Sequence, residues 1–187
     1  FALGIYSVNP DAKVYVKVTN SWYDPKGEEE AAKTLLNMNC DVIAQHCDTV
    51  YPQTLAQDKG VYSIGYNSDM SKEAPEACLC SVIWNWSAYY TSAVQSVIDG
   101  TWDGSNYYGG MNENLVSITP IADFAAASTQ EKVNMAKQQI LSGKNGVFDG
   151  VIETNTGAEV GTAGKTLEDS VITGGINWYF KTVKVIE

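Results

Sequence analysis

Basic residues are scarce in this 187-residue chain: 12 Lys and Arg stand against 22 Asp and Glu, a formal net charge of −10 at pH 7. Binding nucleic acid by phosphate neutralisation needs a basic surface, so that partner class is disfavoured. Attraction to anionic lipid is disfavoured for the same reason. His46 is the single histidine, which leaves no two-His metal site and makes a bound metal unexpected. Four cysteines are too few for a disulfide scaffold at this length. Cys40 and Cys47 flank an apolar run; a disulfide between them stays open but is not indicated. Cys78 and Cys80 are two apart in a strand-like run, where i and i+2 share a face, a spacing unsuited to a metal knot or a redox C-x-x-C. Buried free thiols are the expectation. No apolar run approaches the roughly 20 residues needed to span a bilayer. Neither G-x-x-x-x-G-K-[ST] nor G-x-G-x-x-G occurs, so nucleotide phosphates are not expected, and no cofactor is implied.

What is present is globular composition: 44% hydrophobic and 18% charged residues, enough to bury the core of one domain or slightly more. The chain opens on Phe1-Ala2-Leu3-Gly4-Ile5-Tyr6 without a leader pattern. That opening reads as the middle of an amphipathic helix, so the chain is expected to be a processed or truncated piece of something longer. A helical turn or two ends at Asn9-Pro10. The β-branched and aromatic run at 14–18 reads as a strand. A helix begins at Gly27 with Glu28, Glu29 and Glu30 in its first turn, where the macrodipole favours acids; all three are expected to be solvated. Strands follow at 41–44, 61–66 and 79–84, with a helix over 52–59 stopped by Gly60 between the first two. Strands alternating with helices imply right-handed crossovers and a parallel sheet. Further on, a helix at 87–98, a hairpin-like stretch around Gly109-Gly110, a strand at 115–121 and a helix at 129–141 are expected, then strands and loops.

In parallel sheets ligands bind beyond the carboxyl ends of the strands. Here those ends are 19–22, 45–48, 66–69 and 84–86, four loops rich in aromatics, amides and carboxylates that should converge on one cleft. Trp22 lies in a polar loop beside Asp24-Pro25, where core burial is unnatural and stacking on a flat ring is possible. His46-Cys47-Asp48 invites a catalytic reading, yet adjacent residues of an extended chain point to opposite sides, so hydrogen bonding suits His46 better. Asn67-Ser68-Asp69 is turn-forming on local grounds, and its place at a strand end makes Asn67 and Asp69 candidate ligand contacts. Trp84 occupies the fourth strand end.

The same residues carry a family resemblance. Phe1-Ala2-Leu3-Gly4, Thr19-Asn20-Ser21-Trp22-Tyr23-Asp24-Pro25, Asp41-Val42-Ile43-Ala44-Gln45-His46 and Lys59 to Met70 are similar to segments of the basic membrane protein (Med-like) family. So are Ser81-Val82-Ile83-Trp84-Asn85-Trp86, Asp99-Gly100-Thr101-Trp102 and Asn177-Trp178-Tyr179. Members are substrate-binding lipoproteins of ABC importers. The resemblance covers nearly the whole chain, which looks like the C-terminal part of a longer member.

It implies an α/β, type I periplasmic-binding-protein fold: two lobes, each a three-layer arrangement around a parallel sheet, closing on a ligand. Residues 1–84 would be second lobe, 85–115 a crossover returning to the first, and 116–187 mainly second lobe and tail. It also implies a purine base or nucleoside held between an aromatic residue of each lobe, with Trp22 as the second-lobe ring. Asp48 would lie in the loop that contacts ribose in nucleoside binders. Asn67 and Asp69 stand where members usually carry two acids, and Trp84 where nucleoside binders carry a Lys. These two departures, Asn67 and Trp84, remove charge and fill the ribose space, favouring a free base such as adenine. The implied partners are an ABC permease and the missing N-terminal lobe, and the implied location is extracytoplasmic, on a lipid anchor outside this chain. Binding without turnover is therefore expected. A sensory receptor of the same fold is the nearest alternative. A nucleoside-processing enzyme would need clustered carboxylates, and there is no D-x-D run.

Overall fold

The computed structural model describes residues 1–186. In chain order the elements are α1 (Ala2–Val8), β1 (Val14–Lys17), α2 (Pro25–Asn37), β2 (Val42–Ala44), α3 (Tyr51–Lys59), β3 (Tyr62–Asn67) and β4 (Cys78–Trp84). They continue with α4 (Trp86–Ile98), β5 (Val116–Ile118), α5 (Thr129–Leu141), β6 (Asp149–Glu153), β7 (Glu159–Thr166), α6 (Asp169–Gly174) and β8 (Val183–Ile186). The chain divides into two compact units, one of Thr19–Val133 and one of Phe1–Val18 with the residues from Asn134 onward.

The larger unit holds a four-stranded sheet in the order β2-β3-β4-β5. The β2-β3 and β3-β4 pairs are parallel, as the alternation of strands and helices predicts, and β5 runs antiparallel to β4. Local signals set the helix ends. Asp24 caps α2 by accepting the Gly27 N–H at 3.0 Å, and Pro25 takes the first helical position, where no N–H is needed. This moves the start of α2 two residues ahead of the expected Gly27. Gly60 ends α3 in the left-handed conformation, φ 72°. Leu36, Ile43 and Ala56 form the buried core between α2, α3 and β2. A second cluster joins Met70, Ala74, Ala77 and Cys78. Gly65 of β3 sits where a Cβ would lie 2.3 Å from Ser81 Oγ and 3.0 Å from Met70 Cβ, so two strands and the following turn approach closely only because it is glycine.

In the smaller unit β1 pairs in parallel with β8, and β6 with β7 as an antiparallel hairpin. Its core is Val14, Ile152, Phe180 and Val183, with Tyr6 edge-on to Phe180 at 5.2 Å. The first strand thus pairs with the last rather than with the sheet of the next three, because Val14 buries its side chain among C-terminal residues. The expected hairpin at Gly109-Gly110 is a turn instead: Gly110 donates to Glu113 Oε2 at 2.7 Å and its carbonyl accepts from Leu115 N–H. All four cysteines are free thiols, Cys78 fully buried.

α4 carries a largely exposed apolar surface. None of its residues is buried, and Tyr90, Val94, Val97 and Ile98 are exposed on it. Val94, Val97 and Ile98 line an apolar groove with Trp102.

Candidate functional site

The site elements are the carboxyl ends of β2, β3 and β4 together with the loop before α2. The sequence brings four of these places together, and the structure joins them ring to ring. Trp22 meets His46 edge-on at 5.2 Å, and His46 meets Tyr66 at 4.6 Å. Tyr66 meets Trp84 at 6.4 Å, and Trp84 stacks on Trp86 at 5.8 Å. Edge-to-face pairs of this kind suit the ring quadrupoles. Trp22 is 61% exposed, so most of its indole is open to a ligand.

Beside the rings, Asn67 donates from Nδ2 to Asp48 Oδ1 at 3.3 Å. Asn67 adopts φ 70°, a left-handed conformation that Asn tolerates better than most residues, and this turns the chain at the end of β3. The Asp48 N–H donates to the Trp22 carbonyl at 2.8 Å, tying the two loops. Burial pushes the Tyr66 phenol up, the Asp48 charge adds to that, and the Trp84 indole partly offsets both.

Of the six residues singled out from the sequence, Trp22, His46, Asp48, Asn67 and Trp84 thus form one cluster, with Tyr66 as its hub. Asp69 stands apart. Its Oδ1 accepts from Ser71 N–H at 3.0 Å, and it lines a different groove with Cys80, Thr119 and Asp123. Hydrogen bonds from the Ser71 backbone and hydroxyl, aided by Lys72, hold its carboxyl below the usual range. Its observed role is to shape the turn.

The chain bends at His46-Cys47-Asp48, past the end of β2, rather than running on extended. The His46 ring joins the aromatic cluster, whereas the Cys47 thiol feels the Glu28 carboxylate. Here one expectation fails. Glu28 is not a solvated residue at a helix start: it is 1% exposed. Its Oε2 accepts from Thr49 N–H at 3.1 Å and Thr49 Oγ1 at 2.6 Å, and its Oε1 accepts from Asp24 N–H at 3.1 Å. Burial acts to raise its pKa, but the donors on Thr49, Cys47 and Asp24 outweigh it, and the carboxyl lies below the usual range. Burial and the Glu28 carboxylate together push the Cys47 thiol up to about 12.

The loop between β2 and α3 is braced from inside as well. Gln45 Nε2 donates to the carbonyls of Cys47 and Thr49, at 2.8 and 2.7 Å. Fully buried Gln53 donates to Gln45 Oε1 and to the Ile64 carbonyl. Tyr66, Trp86, Glu28, Gln45 and Gln53 were not among the sequence candidates. Two had a legible signal: Trp86 stands two residues after Trp84, and Glu28 stands four after Asp24, one residue beyond the spacing of a capping box.

The cluster offers an open indole face, a carboxylate, an amide with both donor and acceptor, and an imidazole. Those groups have the chemistry to stack on and hydrogen-bond to a flat polar ring. They do not assemble a metal site: among the described residues no group of three or more His, Cys, Asp and Glu side chains is placed to hold a metal.

A purine-binding protein of Brucella abortus is 37% identical over 96% of this chain and 51% of its own length. A putative ABC transporter glucose-binding protein of Haloferax volcanii is 34% identical over 80% of this chain and 38% of its own. The structure of an ABC transporter solute-binding protein from Conexibacter woesei superposes with a TM-score of 0.57 at 21% identity, over 76% of this chain and 49% of that one. The last likeness shows a periplasmic-binding-protein fold. This chain thus spans about half or less of the length of each of these three proteins. The profile of the PnrA-like ABC transporter substrate-binding proteins matches residues 1–147. On that match and the 37% identity, the chain belongs to the PnrA-like family of ABC transporter substrate-binding proteins, a family of binders rather than enzymes.

Proposed function

We propose that this chain is part of the extracytoplasmic substrate-binding component of an ABC importer, and that it supplies one wall of a site for a purine. The observation that carries this reading is the strand-end cluster. An exposed indole, Trp22, stands next to an Asp48–Asn67 pair able to accept from and donate to a purine's amino and ring nitrogens. The purine-binding relative supports the ligand class. A free base such as adenine is favoured over a nucleoside, because Trp84 and Asn67 leave bulk and little charge where a ribose would be read.

In the longer protein, a first lobe would supply the opposing aromatic wall, residues 1–84 would belong to the second lobe and 85–115 would cross back. A permease would receive the ligand, and a lipid anchor would hold the protein outside the cytoplasmic membrane. Among the described residues no helix is long and apolar enough to cross a membrane. Asp69, by this reading, orients the turn after β3.

A second ligand class has its own support, since one relative is named as a putative glucose-binding protein. The test is a titration of the purified chain with adenine, adenosine and glucose, followed by tryptophan fluorescence and by NMR shifts of the indole N–H groups. Adenine is expected to bind tightest, although weakly in absolute terms, because half a sandwich leaves much of the ordering cost uncompensated. Saturation by glucose with no response to either purine would overturn the purine reading.

A further inference from the structure

We propose that Glu28 is the positioning residue of this site: its buried carboxylate locks the Trp22 segment to the His46–Asp48 loop. The inference rests on reading the ring cluster as the ligand site, and its geometry stands independently.

One carboxylate takes donors from both segments. On one side is Asp24 N–H, two residues after Trp22; on the other are the N–H and hydroxyl of Thr49, next to Asp48. Glu28 is 1% exposed and Thr49 6%, so these bonds are made away from water, where a neutral substitute satisfies them less well. Its neighbours Glu29 and Glu30 pair instead with Lys33 and Lys26 on the helix surface. Only Glu28 of the three faces inward. Without it, the Asp48 N–H to Trp22 carbonyl bond would be the main polar tie described between the two segments. The loop carrying His46 and Asp48 would then have to be ordered by the ligand, at a loss of affinity.

Cys47 lies in the loop that Glu28 fastens, so its accessibility makes the state of the clamp readable without ligand. Cys47 is half-buried, as Cys40 and Cys80 are, so those two thiols serve as internal references. Iodoacetamide labelling of the chain, mapped by mass spectrometry at fixed pH, reads the Cys47 rate against the rates of Cys40 and Cys80. Glu28→Gln is expected to raise the Cys47 rate at least tenfold relative to Cys40 and Cys80, and to weaken adenine binding about tenfold. Thr49→Val should act in the same direction, and Thr49→Ser, which keeps the hydroxyl, should recover most of the loss. Leu36→Ala, a core change on the same helix, lowers thermal stability and should move neither readout; it separates positioning from general destabilisation. An unchanged Cys47 rate in folded Glu28→Gln would overturn the clamp, whatever the chain does with adenine. A raised rate with wild-type adenine affinity would keep the clamp but overturn its role in binding. If the wild-type chain ignores adenine, the purine reading fails while the labelling still decides the clamp.

Discussion

Replacing Trp22 by alanine separates affinity from stability, because the side chain is mostly open and touches little. It is 61% exposed, and its described ring contact is a single edge-to-face pair with His46 at 5.2 Å. A tryptophan buries about 150–250 Å² when fully covered, so the covered part here is of the order of 60–100 Å². At about 25 cal/mol per Å², that burial is worth at most about 2.5 kcal/mol, and about 1–2 kcal/mol after allowing for a compact unfolded state. The variant should therefore melt about 2–8 °C lower and keep its fold. Loss of stacking on a purine ring is expected to cost about 1–3 kcal/mol. That corresponds to about a 5- to 150-fold rise in Kd. Thermal melts and adenine titrations on the same preparations are the assay. Leu36→Ala supplies the opposite pattern, losing about 2–5 kcal/mol of stability with unchanged affinity. An unaltered adenine Kd in Trp22→Ala would refute the placement of this ring against the ligand. A collapse of the fold would refute the account of Trp22 as a side chain left free for binding.

Gly65→Ala should destabilise the chain by about 1–3 kcal/mol, because the added Cβ would stand 2.3 Å from Ser81 Oγ; denaturant melts of the single variant against Gly65→Ala with Ser81→Ala should show partial recovery in the double. The Glu28 carboxyl lies below its ordinary value in the folded chain, so its contribution to stability is present above the unfolded value of about 4.3 and is lost as pH falls through the folded value. Melts from pH 6 down to pH 3 should accordingly show a shallower acid loss in Glu28→Gln than in wild type, and parallel curves would count against the assignment. On α4, Val94→Lys with Val97→Lys should change stability by no more than about 0.5 kcal/mol, since both side chains are exposed. The same pair should reduce binding of a hydrophobic dye to the groove they share with Ile98 and Trp102; undiminished dye binding would place the exposed apolar surface elsewhere.

Much of the site was legible before any coordinates because its residues sit at strand ends, and strand ends are marked locally. The runs before His46, Asn67 and Trp84 are apolar and β-branched, the residues after them are turn-forming, and parallel topology puts such ends on one edge of the sheet. The exposure of Trp22 followed from its polar neighbours. Asp69 shows the limit of this logic. Its strand-end position was read correctly, but the two-residue turn to Ser71 carries its carboxylate away from the cluster. Local pattern does not report side-chain direction beyond the end of a strand.

The amino-acid sequence by itself determined the element types and most of their ends: caps such as Asp24 and Gly60 act on the backbone within three or four residues. It also determined the family, carried by motifs that match over residues 1–147. Only the tertiary structure decided which strand receives β1, which of three successive glutamates is buried, and that Tyr66 is the hub of the rings. Glu28, Glu29 and Glu30 are chemically identical and share one helical turn. What distinguishes Glu28 is the arrival of Thr49 and Cys47 from a loop 20 or so residues away, and contacts made across such separations leave no trace in local periodicity.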